Sequence, residues 1–187
     1  MKNSQITQWC HQIILSQARR EGLYIDATMG KGNDTLFLCQ LAGDGGRVLA
    51  FDIQEKALEC TEELLKKHHM SGRAELILDG HENMARYAKA ESVDLICFNF
   101  GYLPGGDHQI ATRPETSVRA VEEGLALLKP GGMMSLCIYS GGDTGFEEKE
   151  QILEYLKELP FVKYNVIVNE YYNRGNHPPM PVFIWKG

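Results

Sequence analysis

The sequence lacks the features that mark membrane-spanning and secreted proteins. No apolar run in its 187 residues approaches the ~20 that a membrane-spanning helix needs. The first residues, Met1-Lys2-Asn3-Ser4-Gln5, lead into a mixed polar pattern and not into the apolar core of a signal peptide. We therefore expect a cytoplasmic protein with no membrane partner.

The cysteines lack the spacing of a metal site or a disulfide framework. There are five of them, an odd number, and no two form a C-x-x-C pair. Most have apolar neighbours, which is typical of small buried side chains in a reducing compartment. We expect no zinc site and no other bound metal.

The chain also lacks an excess of positive charge. Its formal net charge is -6, with 19 Lys and Arg against 25 Asp and Glu. This balance argues against a protein that coats nucleic acid by charge alone. Recognition of one nucleotide in a structured RNA needs only a local basic rim and stays possible.

Strands alternate with helices along most of the chain, with no internal repeat and no linker, so we predict a single domain over residues 1–187. Predicted strands cover residues 23–27, 47–52, 74–78, 93–99, 133–139, 162–168 and 182–185. Such alternation predicts a mostly parallel sheet with helices on both faces. The last two strands have no helix between them, which predicts an antiparallel hairpin at one edge. The expected class is therefore α/β, Rossmann-like and seven-stranded.

Polar residues follow the first three strands, where ligands bind in open α/β sheets. A glycine loop, Asp26-Ala-Thr-Met-Gly-Lys-Gly-Asn-Asp-Thr35, ends the first strand and opens a helix; Asp52 ends the second strand and Asp79-Gly80-His81 the third. An acid at the position of Asp52 can accept both hydroxyls of a ribose. Taken singly, the loop could be an ordinary turn and Asp52 a helix cap. Together they predict an adenosine-containing cofactor.

Two features favour S-adenosylmethionine over a nicotinamide cofactor. The loop reads G-x-G-x-x-T, so the third glycine of the dinucleotide pattern is missing. The chain is also too short to carry a separate substrate domain.

With Lys129-Pro-Gly-Gly132 and the terminal hairpin, these motifs resemble class I methyltransferases. More narrowly, Asp26 to Thr35, F-D-I-Q at 51–54, N-F-G-Y-L-P-G-G-D at 99–107 and N-H-P-P at 176–179 are similar to the bacterial rRNA methylase family. Its members are associated with the wobble uridine of tRNA. The resemblance implies methylation of the amine of 5-aminomethyl-(2-thio)uridine to the methylaminomethyl form. It also suggests a homodimer. This chain has Lys31 where the family usually has Asn.

The resemblance further implies which residues contact the cofactor. These are Asp26, Thr28, Gly30, Lys31, Gly32, Asn33, Asp34, Asp52, Ile53, Gln54, Asp79, Gly80, His81 and Asn99. The glycine loop would border the methionine part, Asp52 would hold the ribose, and the residues after the second and third strands would flank the adenine.

The segment after the fourth strand lies where amino-group methyltransferases carry N-P-P-Y, and Phe100-Gly101 replaces the two prolines here. The implied catalytic residues are Asn99, Tyr102 and Asp107. The implied substrate-binding residues are Phe100, Gly101, Tyr102, Leu103, Pro104, His108, Asn176, His177 and Pro178. The reaction would be direct displacement at the methyl group of the cofactor, with Asp107, His108 or a water taking the proton.

Other functions remain open at this stage. The chain could methylate rRNA or a small molecule, or bind S-adenosylmethionine without catalysis. An NAD-dependent reductase is a further alternative. If the chain methylates the wobble uridine, its partner is the anticodon loop of tRNA, whose unpaired bases suit sequence-specific recognition.

Overall fold

The computed structural model describes residues 6–101, 112–140 and 145–187. Within these ranges the helices are α1 (Ile6–Gln17), α2 (Asn33–Ala42), α3 (Glu55–Lys67), α4 (Pro114–Leu127) and α5 (Gly145–Lys157). The strands are β1 (Leu23–Asp26), β2 (Arg47–Asp52), β3 (Ala74–Leu78), β4 (Val93–Phe100), β5 (Leu128–Ile138), β6 (Tyr164–Val168) and β7 (Met180–Lys186). None of the described helices is long and apolar enough to cross a membrane.

The seven strands form one sheet in the order β3-β2-β1-β4-β5-β7-β6. The first five strands are parallel, and β7 runs antiparallel to both β5 and β6. The predicted parallel sheet and its antiparallel edge hairpin are therefore confirmed. The strand order reverses between β1 and β4, which is where open α/β sheets bind ligands.

Alternate side chains of each central strand enter different cores, one on each face of the sheet. Ile96 and Phe98 of β4 pack on the face that α4 and α5 cover, whereas Leu95 and Cys97 pack with α1 and α2. A strand that is buried on both faces reads as a continuous apolar run, as β4 does between Asp94 and Asn99. The helices thus lie on both faces, as predicted.

A 3-10 helix over His81–Arg86 follows β3. The fifth strand begins earlier than predicted, at Leu128 instead of residue 133, and Lys129-Pro130-Gly131-Gly132 lies inside it. Across this segment its pairing with β4 passes from Val93↔Leu128 to Leu95↔Met133. The extra residues bulge out of the ladder, and Gly131 takes a φ of 79° that a glycine adopts without strain.

Candidate active site

The loop between β1 and α2 approaches α3 so closely that a side chain at Gly32 would not fit. Gly32 has a φ of 79°, and a Cβ there would lie 2.8 Å from Oγ1 of Thr61 and 2.9 Å from its Cα. The Thr61 hydroxyl in turn donates to the carbonyl of Gly30 at 3.4 Å. The loop is therefore held as a narrow main-chain cradle, with the free N–H groups of the first turn of α2 behind it.

Asp26 supports this loop from below. Its side chain is fully buried; Oδ1 accepts the main-chain N–H of Thr28 at 3.2 Å and Oδ2 accepts the hydroxyl of Thr35 at 2.6 Å. Burial, together with the nearby charge of Asp34, raises the pKa of Asp26 to about 7. These bonds hold the shape of the loop, and the contact of Asp26 with the cofactor stays a prediction.

Asp52 lies at the end of β2, beside the loop. One carboxylate oxygen accepts the N–H of Gly30 and the other accepts the N–H of Gln54, both at 3.0 Å. Burial raises the pKa of Asp52 in spite of these bonds. Each oxygen keeps a further lone pair, so the group can still accept two hydroxyls. Ile53 follows it with 60% of its surface exposed, which offers an apolar contact to a flat ring.

The residues after β3 form a compact turn. Asp79 accepts hydrogen bonds from the N–H of Gly80, the amide of Asn83 and the hydroxyl of Tyr87, at 2.7–2.9 Å. Burial slightly opposes ionisation, but these bonds lower the pKa of Asp79 overall. The ring of His81 is buried, and its desolvation lowers its pKa. This turn therefore presents a neutral imidazole below a polar rim.

The end of β4 brings Asn99 against the loop after β1. Its main-chain N–H donates to Oγ1 of Thr28 at 2.7 Å, and its side-chain Nδ2 donates to Oδ2 of Asp34 at 2.7 Å. Asp34, at the start of α2, also accepts a hydrogen bond from Nε2 of His11 at 2.7 Å. Three separate elements thus converge on the predicted catalytic asparagine.

Phe100 does not have the exposed side chain that substrate binding would require. Its ring is fully buried, stacks on Phe98 with centroids 4.9 Å apart, and contacts the edge of His81. Strand alternation places the ring of Phe100 on the same face as Phe98, under α4 and α5, and places Asn99 on the opposite face, next to α2. The substrate-binding prediction at Phe100 is corrected accordingly: only its main chain is available.

Two hydrogen bonds join Gly101 and Thr112, the residues on either side of the predicted substrate loop. Gly101 donates its N–H to Oγ1 of Thr112 at 2.9 Å, and Thr112 donates its N–H to the carbonyl of Gly101 at 3.2 Å. Tyr102, Leu103, Pro104, Asp107 and His108 lie outside the described residues. Their roles stay predictions.

The segment between β6 and β7 opens on the same edge of the sheet as Asn99. Met180 at the start of β7 pairs with Ile138 at the carboxyl end of β5, so the residues before it leave from that edge. His177 is exposed, has a φ of 48°, and contacts the ring of Phe146 at the start of α5 with centroids 5.2 Å apart. Asn176 is also exposed, and Pro178 is half-buried.

Comparison with known proteins identifies the family. Residues 48–185 match the family model described as "Putative rRNA methylase". The chain is 34% identical over 189 residues to the chloroplastic tRNA (mnm(5)s(2)U34)-methyltransferase of Arabidopsis thaliana, covering 96% of this chain and 69% of the plant protein. The chain belongs to this methyltransferase family.

Solved structures of similar proteins agree with this assignment. A "putative rRNA-methylase" from Clostridium thermocellum superposes with a TM-score of 0.94 at 43% identity, and all of both chains is covered. A "putative methyltransferase" from Streptococcus mutans, in complex with SAH, gives a TM-score of 0.87 at 35% identity over 100% of this chain and 99% of its own. SAH is what S-adenosylmethionine becomes when it has given up its methyl group. This family member is an S-adenosylmethionine-dependent methyltransferase.

The residues that the structure describes in this protein fit S-adenosylmethionine. Gly32 lets the main chain of the loop pack directly on α3, Asp52 retains lone pairs for two ribose hydroxyls, and Ile53 offers an apolar face to an adenine ring. Lys31 and Asn33 point out of the loop and are exposed. No group of three potential metal ligands occurs among the residues that the structure describes.

No motif in the sequence indicates that His11 belongs to this site. The structure places its ring face to face with Phe37 of α2, with centroids 3.8 Å apart and planes 4° apart, and within a hydrogen bond of Asp34. Thr35, which donates to Asp26, and Thr61, which donates to the carbonyl of Gly30, were also not predicted to support the loop. A contact between α1 and α2 depends on where α1 docks, and no local pattern in the sequence encodes this.

Proposed function

We propose that the enzyme methylates the amine of 5-aminomethyl-(2-thio)uridine at the wobble position of tRNA, giving 5-methylaminomethyl-(2-thio)uridine. The observation that carries the proposal is the orientation of Asn99, whose amide nitrogen is engaged by Asp34. The name of the Arabidopsis relative supports the same substrate. S-adenosylmethionine supplies a methyl group that its sulfonium already activates, so the chain needs chiefly to align the amine.

Asn99 can provide that alignment through its other amide atom. With Nδ2 donating to Asp34, the accepting atom Oδ1 is left for a ligand. An amine that donates one N–H to this oxygen has its lone pair directed elsewhere, toward the methyl group. The residue therefore selects an acceptor that carries N–H bonds, as an aminomethyl group does.

The amine must also lose a proton before it can react. An alkylamine has a pKa near that of lysine, about 10.4, and burial in a partly apolar pocket lowers such a value. The rings of Phe98, Phe100 and His81 pack together on the face of the sheet opposite Asn99 and make this end of β4 apolar. Asp107, His108 or a water remains the proposed proton acceptor.

Exposed aromatic side chains near the same edge suit an RNA partner. The ring of Phe146 contacts His177, the guanidinium of Arg174 lies 4.1 Å from the ring centroid of Tyr171, and Tyr172 is fully exposed. Flat rings and arginines stack on unpaired bases whatever the net charge of the protein. This combination supports the anticodon loop of tRNA as the partner.

The outer edge of the sheet supports a homodimer as part of the proposal. The β6 strand lies at the end of the strand order, and Phe161 and Val162 just before it are 85% and 80% exposed. Ile167 and Val168 on the strand are also exposed. An apolar strand edge of this kind is commonly covered in native proteins. The homodimer and cytoplasmic residence both stay predictions.

Mass spectrometry of tRNA nucleosides from a strain that lacks the gene tests the substrate. The proposal expects the 5-aminomethyl nucleoside to accumulate and the methylaminomethyl form to disappear. The gene returned on a plasmid should restore the methylated form. Unchanged tRNA nucleosides together with a missing methyl group in rRNA would replace this proposal with the rRNA alternative.

A further inference from the structure

A chain of two hydrogen bonds links α1 to the end of β4 through α2. Nε2 of His11 lies 2.7 Å from Oδ1 of Asp34, and Nδ2 of Asn99 lies 2.7 Å from Oδ2 of the same carboxylate. Both side chains of the His11–Asp34 pair are largely enclosed, with 23% and 15% of their surfaces exposed. Bonds of this length that involve a charged group are stronger than those between neutral partners.

The direction of both bonds follows from the chemistry of the carboxylate. A carboxylate only accepts hydrogen bonds, so His11 must donate from Nε2 and Asn99 must donate from Nδ2. Rotating the amide of Asn99 by half a turn would place Oδ1 against Oδ2 of Asp34, and two acceptors repel each other. Asp34 therefore determines which atom of Asn99 is left for a ligand.

His11 holds the oxygen of Asp34 that Asn99 does not use. Among the residues that the structure describes, His11 is the basic group in ion-pair geometry with Asp34. Its stacking on Phe37 fixes the ring in the orientation that the bond requires.

We propose that His11 is a positioning residue for methyl transfer. It holds Asp34, and Asp34 holds the amide of Asn99 with its oxygen toward the acceptor amine. The inference rests on the proposed function, because it assigns to Asn99 the recognition of an N–H-bearing acceptor. His11 acts through Asp34 and is not itself assigned a contact with the reacting atoms.

Two substitutions separate the hydrogen bond of His11 from its packing. His11→Phe keeps a flat ring to stack on Phe37 but removes the donor, whereas His11→Gln keeps an N–H donor near the position of Nε2. With saturating S-adenosylmethionine and tRNA that carries the aminomethyl group, we expect kcat of His11→Phe to fall roughly 10- to 100-fold. His11→Gln should recover most of it. The Kd for S-adenosylmethionine should change by less than about threefold in both.

A double-substitution cycle with Asn99→Ala tests whether His11 acts through Asn99. In the Asn99→Ala background, His11→Phe should have little further effect on kcat, because the group that it positions is gone. Additive losses would overturn the inference. Equal kcat in His11→Phe and the wild type would also overturn it and would leave the proposed function standing. A wild type that methylates aminomethyl tRNA no faster than other tRNA would instead refute the proposed function.

A readout independent of activity covers the case in which a variant is too unstable to assay. The side-chain amide of Asn99 gives a pair of nitrogen-correlated proton resonances, which Asn99→Ala identifies by their loss. In the unliganded protein, His11→Gln should leave this pair close to its wild-type position, and His11→Phe should shift it. A pair that is unmoved by either substitution would show that His11 does not orient Asn99.

Discussion

The carboxylate of Asp52 accepts the main-chain hydrogen of Gly30 at 3.0 Å, and this bond ties the end of β2 to the glycine loop after β1. The second oxygen of Asp52 accepts the N–H of Gln54 at the start of α3. One side chain thus holds together two of the three segments that would surround the cofactor. Its removal should affect the shape of the loop as well as any direct contact with the ligand.

We expect Asp52→Ala to weaken binding of S-adenosylmethionine by roughly 1–3 kcal/mol. The substitution leaves the ribose hydroxyls without an acceptor and frees the N–H of Gly30. Titration calorimetry measures the change, and far-ultraviolet circular dichroism confirms that the fold is intact. Asp44→Ala is the matched control, because the side chain of Asp44 is 92% exposed and lies outside the site. Wild-type affinity in Asp52→Ala would refute the ribose-binding role.

Because Gly32 packs closely on α3, we expect Gly32→Ala to reduce both the stability of the fold and the affinity for the cofactor. Gly32→Ala adds a Cβ at a φ of 79° and at 2.8 Å from Thr61, whereas Gly72→Ala adds one at a φ of 77° with no atom within 4 Å. The control therefore carries the backbone strain alone, about 1–2 kcal/mol. We expect Gly32→Ala to lower the free energy of unfolding by more than Gly72→Ala, as measured by urea denaturation, and to weaken cofactor binding as well.

A second change tests the steric part of this explanation. Thr61→Ala removes Oγ1 and Cγ2, but the Cα of residue 61 stays 2.9 Å from the added Cβ. The combination Gly32→Ala with Thr61→Ala should therefore recover only part of the lost stability. Full recovery would place the clash on the threonine side chain alone, and equal losses in Gly32→Ala and Gly72→Ala would show that the steric clash adds nothing to the backbone strain.

Asp26 predicts a specific dependence of stability on pH. Its pKa is about 7 in the folded protein against an ordinary value of 3.8, because burial and Asp34 oppose its ionisation. Between these two values the folded protein retains a proton that the unfolded chain has released, so this group loses its stabilising contribution as pH rises from about 4 to 7. Asp26→Asn removes the ionisable group and, with it, this dependence of stability on pH.

Thermal unfolding across this pH range measures the effect. The melting temperature of Asp26→Asn minus that of the wild type should rise from pH 4 to pH 7 and stay level above it. The difference cancels the contributions of Asp52 and Glu148, whose pKa values burial also raises. A parallel curve for Asp26→Asn would show that Asp26 is ionised normally in the folded protein.

Much of the fold was predictable from the sequence because the signals were local. The continuous apolar run of β4 marks a strand buried on both faces, and the absence of a helix between the last two strands marks the edge hairpin. The acid at the end of β2 and the glycines after β1 were placed correctly for the same reason. Parallel strands bring their carboxyl ends to one edge, so residues far apart in sequence could be predicted to lie near one another.

The parts that could not be predicted depend on packing between distant elements. Nothing near His11 indicates that α1 docks beside α2, so its bond to Asp34 was missed. Phe100 follows Asn99 directly, and a shift of one residue in a strand moves a side chain to the other face of the sheet. The motif alone therefore could not show that Phe100 is buried while Asn99 faces the loop.

The central claim is tested most directly by methyl transfer to two tRNA preparations that differ in one group. The enzyme and S-adenosylmethionine labelled on its methyl carbon are incubated with tRNA that carries 5-aminomethyl-(2-thio)uridine and with the same tRNA lacking the aminomethyl group. We expect label only in the first, and nuclease digestion should place it in the methylaminomethyl nucleoside. Equal labelling of the two preparations would contradict the claim that the wobble amine is the acceptor.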